Sequence, residues 1–172
     1  MNNPDALKVT AGNDREIVMT RVFDAPRHLV YEALTRCELL KRWLLGPPGW
    51  SMVVCKIDLR EGGAYRWVWR HEARGTEMGV GGIYRELLPP ERIVHTEKFD
   101  EAWYSGEAVI TTILTEQGGK TTLTATLLYD SRETRDNVLK SPMESGVAAS
   151  YDRLADLLAS TLAAGDSSRP NR

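Results

Sequence analysis

An α+β fold is predicted for this chain of 172 residues: a strongly curved, seven-stranded antiparallel sheet closed by one long carboxy-terminal helix. Three features point to it. The segment from Glu16 to Pro48 reads as one strand followed by two short helices. From Ser51 onward, short alternating segments are separated by turn signals. From Met143 to Leu162, apolar residues recur at helical spacing.

The first strand, Glu-Ile-Val-Met-Thr-Arg-Val-Phe, is rich in β-branched and aromatic residues and stops at Asp24-Ala25-Pro26, where proline suits the first turn of a helix. Asp24 or Ala25 is the expected cap. Leu29, Val30, Ala33 and Leu34 then keep helical spacing, and Leu39, Leu40, Trp43 and Leu44 resume it after a break near Arg36 and Cys37. Six strands follow. Val53, Cys55 and Ile57 alternate with Lys56 and Asp58, and Gly62-Gly63 supplies a hairpin turn. In the next strand Tyr65, Trp67 and Trp69 take one parity, Arg66 and Arg70 the other. Glu77 to Leu88 carries glycines at 79, 81 and 82, expected only where a strand bends or something packs close above it. Pro89-Pro90 turns the chain into Arg92 to Phe99. Gly106 to Glu116 and Lys120 to Tyr129 form a hairpin through Gln117-Gly118-Gly119, with Leu123, Ala125, Leu127 and Tyr129 on one face. The last helix presents Val147, Tyr151, Leu154 and Leu158 as a stripe. One helix cannot fill such a sheet along its whole length, so a cavity is expected between sheet, long helix and two-helix lid.

A single domain over 15–164 is expected, flanked by loose tails at 1–14 and 165–172, which carry little apolar content. With 22 basic against 24 acidic residues there is no basic excess, so a nucleic-acid partner is not expected. No apolar run reaches membrane-spanning length, and the polar start lacks the apolar core of a signal peptide. Cys37 and Cys55 match neither a redox nor a zinc spacing, which reads as two free thiols in a reducing, cytoplasmic setting.

Several motifs together are specific: Phe23-Asp24-Ala25-Pro26-Arg27, Arg42-Trp43 to Gly46-Pro47, Asp58-Leu59-Arg60-Glu61-Gly62-Gly63, Pro89-Pro90-Glu91-Arg92-Ile93-Val94 and Tyr151-Asp152-Arg153-Leu154. Through them the chain resembles the START-like, helix-grip superfamily over about Arg15 to Ser160, in the branch related to the heat-shock-protein-90 ATPase activator. The resemblance implies a helix-grip fold with a hydrophobic ligand cavity. It brings lipid carriers, cyclases and aromatases, self-resistance proteins and chaperone activators into view, among which the fold does not choose. The eukaryotic activators carry a separate amino-terminal domain that this chain lacks, which turns the first expectation toward a small hydrophobic or aromatic ligand. A chaperone or other protein partner and a cyclase-like enzyme are the alternatives.

The Tyr65, Trp67, Trp69 stripe is the principal site signal, because alternate residues of a strand share a face and aromatic rings line apolar pockets. Core packing alone gives the same pattern; the number of bulky rings favours a cavity. Cys55, Tyr84, Met143, Gly146, Val147 and Tyr151 complete the expected lining, with Leu39 and Trp43 at the mouth. Trp50 and Trp103 are placed near that mouth by loop position alone. His95 and Glu97, two apart in a strand, share a face with side chains about 7 Å apart, the only candidates for acid-base chemistry; a structural hydrogen-bonded pair is the competing reading. The charged run Glu133, Arg135, Asp136 and Lys140 reads as a solvated connection. No cofactor is expected. His28, His71 and His95 have no metal-ligand spacing. Gly119-Lys120-Thr121 lacks the earlier glycine of a phosphate loop, Tyr84 stands where a dinucleotide fingerprint needs glycine, and there is no nucleophile elbow.

Overall fold

The computed structural model describes residues 5–101 and 103–167. Its elements run β1 (Lys8–Ala11), β2 (Glu16–Phe23), α1 (Arg27–Thr35), α2 (Cys37–Trp43), β3 (Trp50–Ile57), β4 (Ala64–His71), β5 (Glu77–Leu88), β6 (Arg92–Phe99), β7 (Ala108–Gln117), β8 (Lys120–Leu128), α3 (Arg132–Lys140) and α4 (Met143–Ser167). The strands form one antiparallel sheet in the order β1-β2-β8-β7-β6-β5-β4-β3. The first long strand thus pairs with the last, and the meander β3 to β8 fills the rest.

Alternation along the strands sets the inner face. Ile17, Met19, Arg21 and Phe23 of β2 pair with Leu127, Ala125, Leu123 and Thr121 of β8, and this row is buried. The β7–β8 hairpin turns through Gly118 and Gly119, both at positive φ (60° and 76°), a conformation glycine adopts without steric cost. The glycines of β5 mark a close approach: a Cβ on Gly82 would overlap the Thr96 carbonyl oxygen of β6.

The helices cover the inner face, with Val30, Ala33, Leu40, Trp43, Leu154 and Leu158 fully buried. Trp43 donates its indole N–H to the Ala33 carbonyl (2.9 Å) and stacks on Tyr151 at 6.0 Å, so α1, α2 and α4 form one body. That body is pinned to the loop after α2 by Ser150 Oγ, which accepts from Gly46 N, and by Arg153, which donates to the Gly46 carbonyl. The main backbone approaches of α4 are to α2, α1 and α3.

Five expectations are corrected. The sheet has eight strands, because Lys8–Ala11, inside the segment read as a loose tail, pairs with β2 from Lys8↔Thr20 to Ala11↔Ile17. This edge strand buries little surface and carries no apolar alternation. At the other end α4 continues through Ser167; residues 1–4 and 168–172 lie outside the described residues. The N-cap of α1 is Pro26, one place later than expected, and the Glu116 carboxylate of β7 accepts from Arg27 N (2.8 Å), serving as a cap from another element. The run after β8 is a helix, α3, capped by Ser131 Oγ accepting from Thr134 N. In it Arg135 is buried, donating to the carbonyls of Asn13 and Glu16.

The fifth correction concerns the cysteines, which are not free. Cys37, at the start of α2, and Cys55, in β3, form a disulfide with Cα atoms 5.8 Å apart. The 18-residue spacing conceals this because the chain turns back through the loop after α2 to lay β3 beside that helix. With both thiols bridged, cysteine usage no longer points to a reducing cytoplasm. Among the described residues no helix is long and apolar enough to cross a membrane.

Candidate site on the inner face

Tyr65, Trp67 and Trp69 follow one another along the inner face of β4, with ring centroids 4.6 Å and 6.3 Å apart. Across the sheet Tyr84 pairs with His95, just before the register shift that follows Tyr84 in β5. This brings Tyr65 within 5.5 Å of Tyr84 and 5.3 Å of His95. Cys55 lies opposite Trp67 in β3. The period-two reading therefore assembles Cys55, Tyr65, Trp67, Trp69, Tyr84, His95 and Glu97 on one face.

The other expected residues are less concentrated. Tyr151 meets Phe23 and Trp43 rather than the β4 stripe. Met143 and Val147 are half-buried against the core, and Leu39 is half-buried on α2. Trp43 is 2% exposed, a core residue and not a mouth residue. Gly146 faces the lid loop: an added Cβ would lie 3.4 Å from Pro47, so its smallness admits that loop and not the sheet. Trp50 packs edge-on against His71, and Trp103, half-exposed, packs against Phe99 and Tyr104.

Trp67, His95, Glu97, Val147 and Tyr151 retain accessible surface although they belong to facing inner layers. Two buried polar atoms here have no hydrogen-bond partner, Trp67 Nε1 and His95 Nδ1; Tyr31 Oη on α1 and Arg21 Nε on β2 share that condition. Neighbouring groups are satisfied. Tyr65 Oη donates to the Thr96 carbonyl (2.5 Å), Trp69 Nε1 to the Leu44 carbonyl (2.6 Å), and Tyr104 Oη to Glu97 Oε1 (3.2 Å).

Burial governs the electrostatics. It pushes the Glu97 carboxyl up to about 7, with the Tyr104 hydrogen bond acting in the opposite direction. It lowers His95 to about 4, so the imidazole is neutral at neutral pH. The Tyr65 and Tyr104 hydroxyls are raised by burial and then by the nearby Glu97 carboxylate, and Tyr151 is pushed up to about 12. Arg21, an inward cation, is held by Asp152 at 2.8 Å. Among the described residues no group of His, Cys, Asp and Glu side chains could hold a metal ion.

Tyr31, Tyr104, Tyr129 and Arg21 were not singled out from sequence. Arg21 had a signal, a charge at inward parity between Met19 and Phe23, and Tyr129 closed an apolar stripe already noted. Tyr104 had none, because its loop carries no periodicity. It also borders an outer depression of about 510 Å³ together with Trp103, Ser105, Ser131, Glu133, Thr134 and Asn137. Tyr104 thus touches both that depression and the Glu97 carboxylate.

A curled antiparallel sheet wrapped on a long carboxy-terminal helix, with aromatic and polar groups facing inward, defines a START-like, helix-grip protein. Within that class the chain belongs to the family described as Activator of Hsp90 ATPase homolog 1-like protein, which matches residues 24–159. A crystal structure of a Rhodobacter sphaeroides protein is 31% identical, covering 91% of this chain and 99% of its own, with a TM-score of 0.85. One from Chromobacterium violaceum is also 31% identical, covering 84% and 96%, at 0.69. A Silicibacter pomeroyi protein whose description names the same family is 19% identical, covers 85% and 99%, and at 0.65 shares the fold. A search of curated proteins found no match.

Proposed function

We propose that the protein binds a small hydrophobic or aromatic molecule between the inner face of the sheet and α4. The START-like fold commonly holds hydrophobic ligands, and the observation that carries the reading here is the inward-facing Tyr65-Trp67-Tyr84-His95 ring cluster, in which Tyr65 and Tyr84 are buried while Trp67 and His95 retain accessible surface. Burying about 300 Å² of apolar ligand surface at ~25 cal/mol per Å² gives about 7.5 kcal/mol before entropic losses, so apolar burial is the main source of affinity and polar contacts add to it. The test is tryptophan fluorescence and thermal shift against a panel of apolar and aromatic compounds, with Trp67→Ala and Trp69→Ala as controls. Saturable quenching that weakens in Trp67→Ala supports the reading; a folded protein that responds to nothing across a broad panel overturns it.

The placement of Glu97 supports a second reading, acid-base chemistry on the same ligand. Its carboxyl, at about 7, is suited to exchange a proton at neutral pH, with the neutral His95 imidazole two residues along the same strand. Turnover of a bound compound that survives Glu97→Gln and His95→Gln in folded protein would exclude this chemistry.

A further inference from the structure

The outer depression of about 510 Å³ beside α3 is separate from the interior, and its walls have a chemistry of their own. Trp103 and Tyr104 form an aromatic corner, with ring centroids 4.9 Å apart and planes at 82°. Trp103 is 46% exposed, whereas Tyr104 is buried and directs its hydroxyl to Glu97, so it lends the depression ring carbon rather than a polar atom. On the α3 side stand Glu133 and Asn137, one turn apart and exposed. Among the described residues Glu133 has no ion-pair partner, and at the rim Asp130 accepts from Ser105 Oγ (3.1 Å).

This charge is not offset from within. No lining side chain is basic, and residues 99–119 contain no lysine, arginine or histidine. Of the cations on α3, Arg135 is held by Asp136, and Arg132 does not line the depression. The start of α3 offers little to an anion, because Thr134 N already donates to Ser131 Oγ (3.1 Å) and Glu133 occupies the first turn. Aromatic surface beside an uncommitted carboxylate is complementary to an organic cation. A primary ammonium or guanidinium brings several N–H groups that ring carbon leaves unpaired, whereas a quaternary ammonium brings none.

We propose that this depression binds a small quaternary ammonium compound, its methylated nitrogen in the corner of Trp103 and Tyr104 and its charge balanced by Glu133. The site is independent of the interior reading. Trp103 and Glu133 are both exposed, so either can be replaced without unfolding the chain.

The experiment is an NMR titration of the isotope-labelled full chain with choline, its neutral carbon isostere dimethylbutanol, and ethanolamine, on wild type, Trp103→Ala and Glu133→Gln. Expected are saturable choline shifts at the amides of Trp103, Tyr104 and the first turn of α3, with dimethylbutanol and ethanolamine about fivefold weaker. Trp103→Ala should weaken choline about fivefold, and Glu133→Gln about threefold with loss of most of its salt dependence. Equal binding of dimethylbutanol or ethanolamine, unchanged affinity in both variants, shifts centred on Trp67 instead of the depression, or no saturable choline shift overturns the inference. Each of these leaves the interior reading standing, and a failure of the interior reading leaves this site untouched.

Discussion

Replacing Glu97 with glutamine should expose a pH dependence of stability that the wild-type protein conceals. Glu97 rises from an ordinary value of 4.5 to about 7 on folding, and His95 falls from 6.5 to about 4. For the carboxyl, the unfolded chain has lost its proton where the native protein still holds one, so stability falls as pH rises from 4.5 to about 7. For the imidazole, the unfolded chain holds a proton where the native protein does not, so stability is lost as pH falls from 6.5 to about 4. Each shift amounts to roughly 3 kcal/mol, and between 4.5 and 6.5 the two slopes oppose one another.

In Glu97→Gln only the histidine slope remains, and stability should rise by about 1.4 kcal/mol per pH unit across that window. In His95→Gln only the carboxyl remains, and the slope should reverse. Urea denaturation followed by circular dichroism, from about pH 4 to about pH 8, gives the difference between variant and wild type, in which the unaltered surface groups cancel. Glu97→Gln should gain roughly 3 kcal/mol relative to wild type between the low and high ends of its window. A flat difference would mean that Glu97 titrates like an exposed carboxylate. A difference falling with pH would mean that the fold favours its charged form; either result refutes the electrostatic account of the inner face.

Reducing the Cys37–Cys55 bridge reopens a loop spanning 18 residues, which should cost about 3 kcal/mol. Thermal unfolding with and without a dithiol should differ by about 6–12 °C, and two titratable thiols in native, unreduced protein would refute the bridge. Arg135→Met strips donors from the Asn13 and Glu16 carbonyls beneath α3 and should cost about 2 kcal/mol in urea denaturation; a change within a few tenths would show that the buried guanidinium contributes nothing net. Gly82→Ala pushes a methyl group into the Thr96 carbonyl and should separate β5 from β6, with a loss of several kcal/mol; a neutral result would show that the close approach is not maintained.

What was legible in the sequence follows from burial. Residues 77–88 and 92–99 were bounded by glycine, proline and alternation and are observed as β5 and β6 at those limits. The apolar parity of Leu123, Ala125 and Leu127 is the buried side of β8. Where an element buries polar groups, or nothing, its periodicity vanishes. The inward residues of α3 include Thr134 and Arg135, and β1 lies at the sheet edge with scarcely a buried side chain. The disulfide was invisible because the packing of α2 on β3 is tertiary. For the site, the aromatic stripe was readable from its period of two. Its satisfaction was not, since which indole finds a carbonyl depends on distant loops: Trp69 meets Leu44, whereas Trp67 meets no acceptor.

The distribution of these exceptions separates fold from function. Most inward positions of β2, β7 and β8 hold well-packed apolar side chains, such as Ile17, Leu114, Leu123 and Leu127, where local pattern and global packing agree. Arg21 departs from this, but its charge leads out to Asp152. The departures around Tyr65 are of another kind: a neutral histidine and two ring nitrogens without partners, on rings 4.6 Å and 5.3 Å from that of Tyr65, and on the same strand as His95 a carboxyl pushed toward protonation. Apolar residues of similar shape would stabilise such a patch. Requirements of folding alone would leave polar costs scattered or satisfied. The pair at Trp67 and His95, on rings that both pack against Tyr65, supports the proposed ligand site over a closed core.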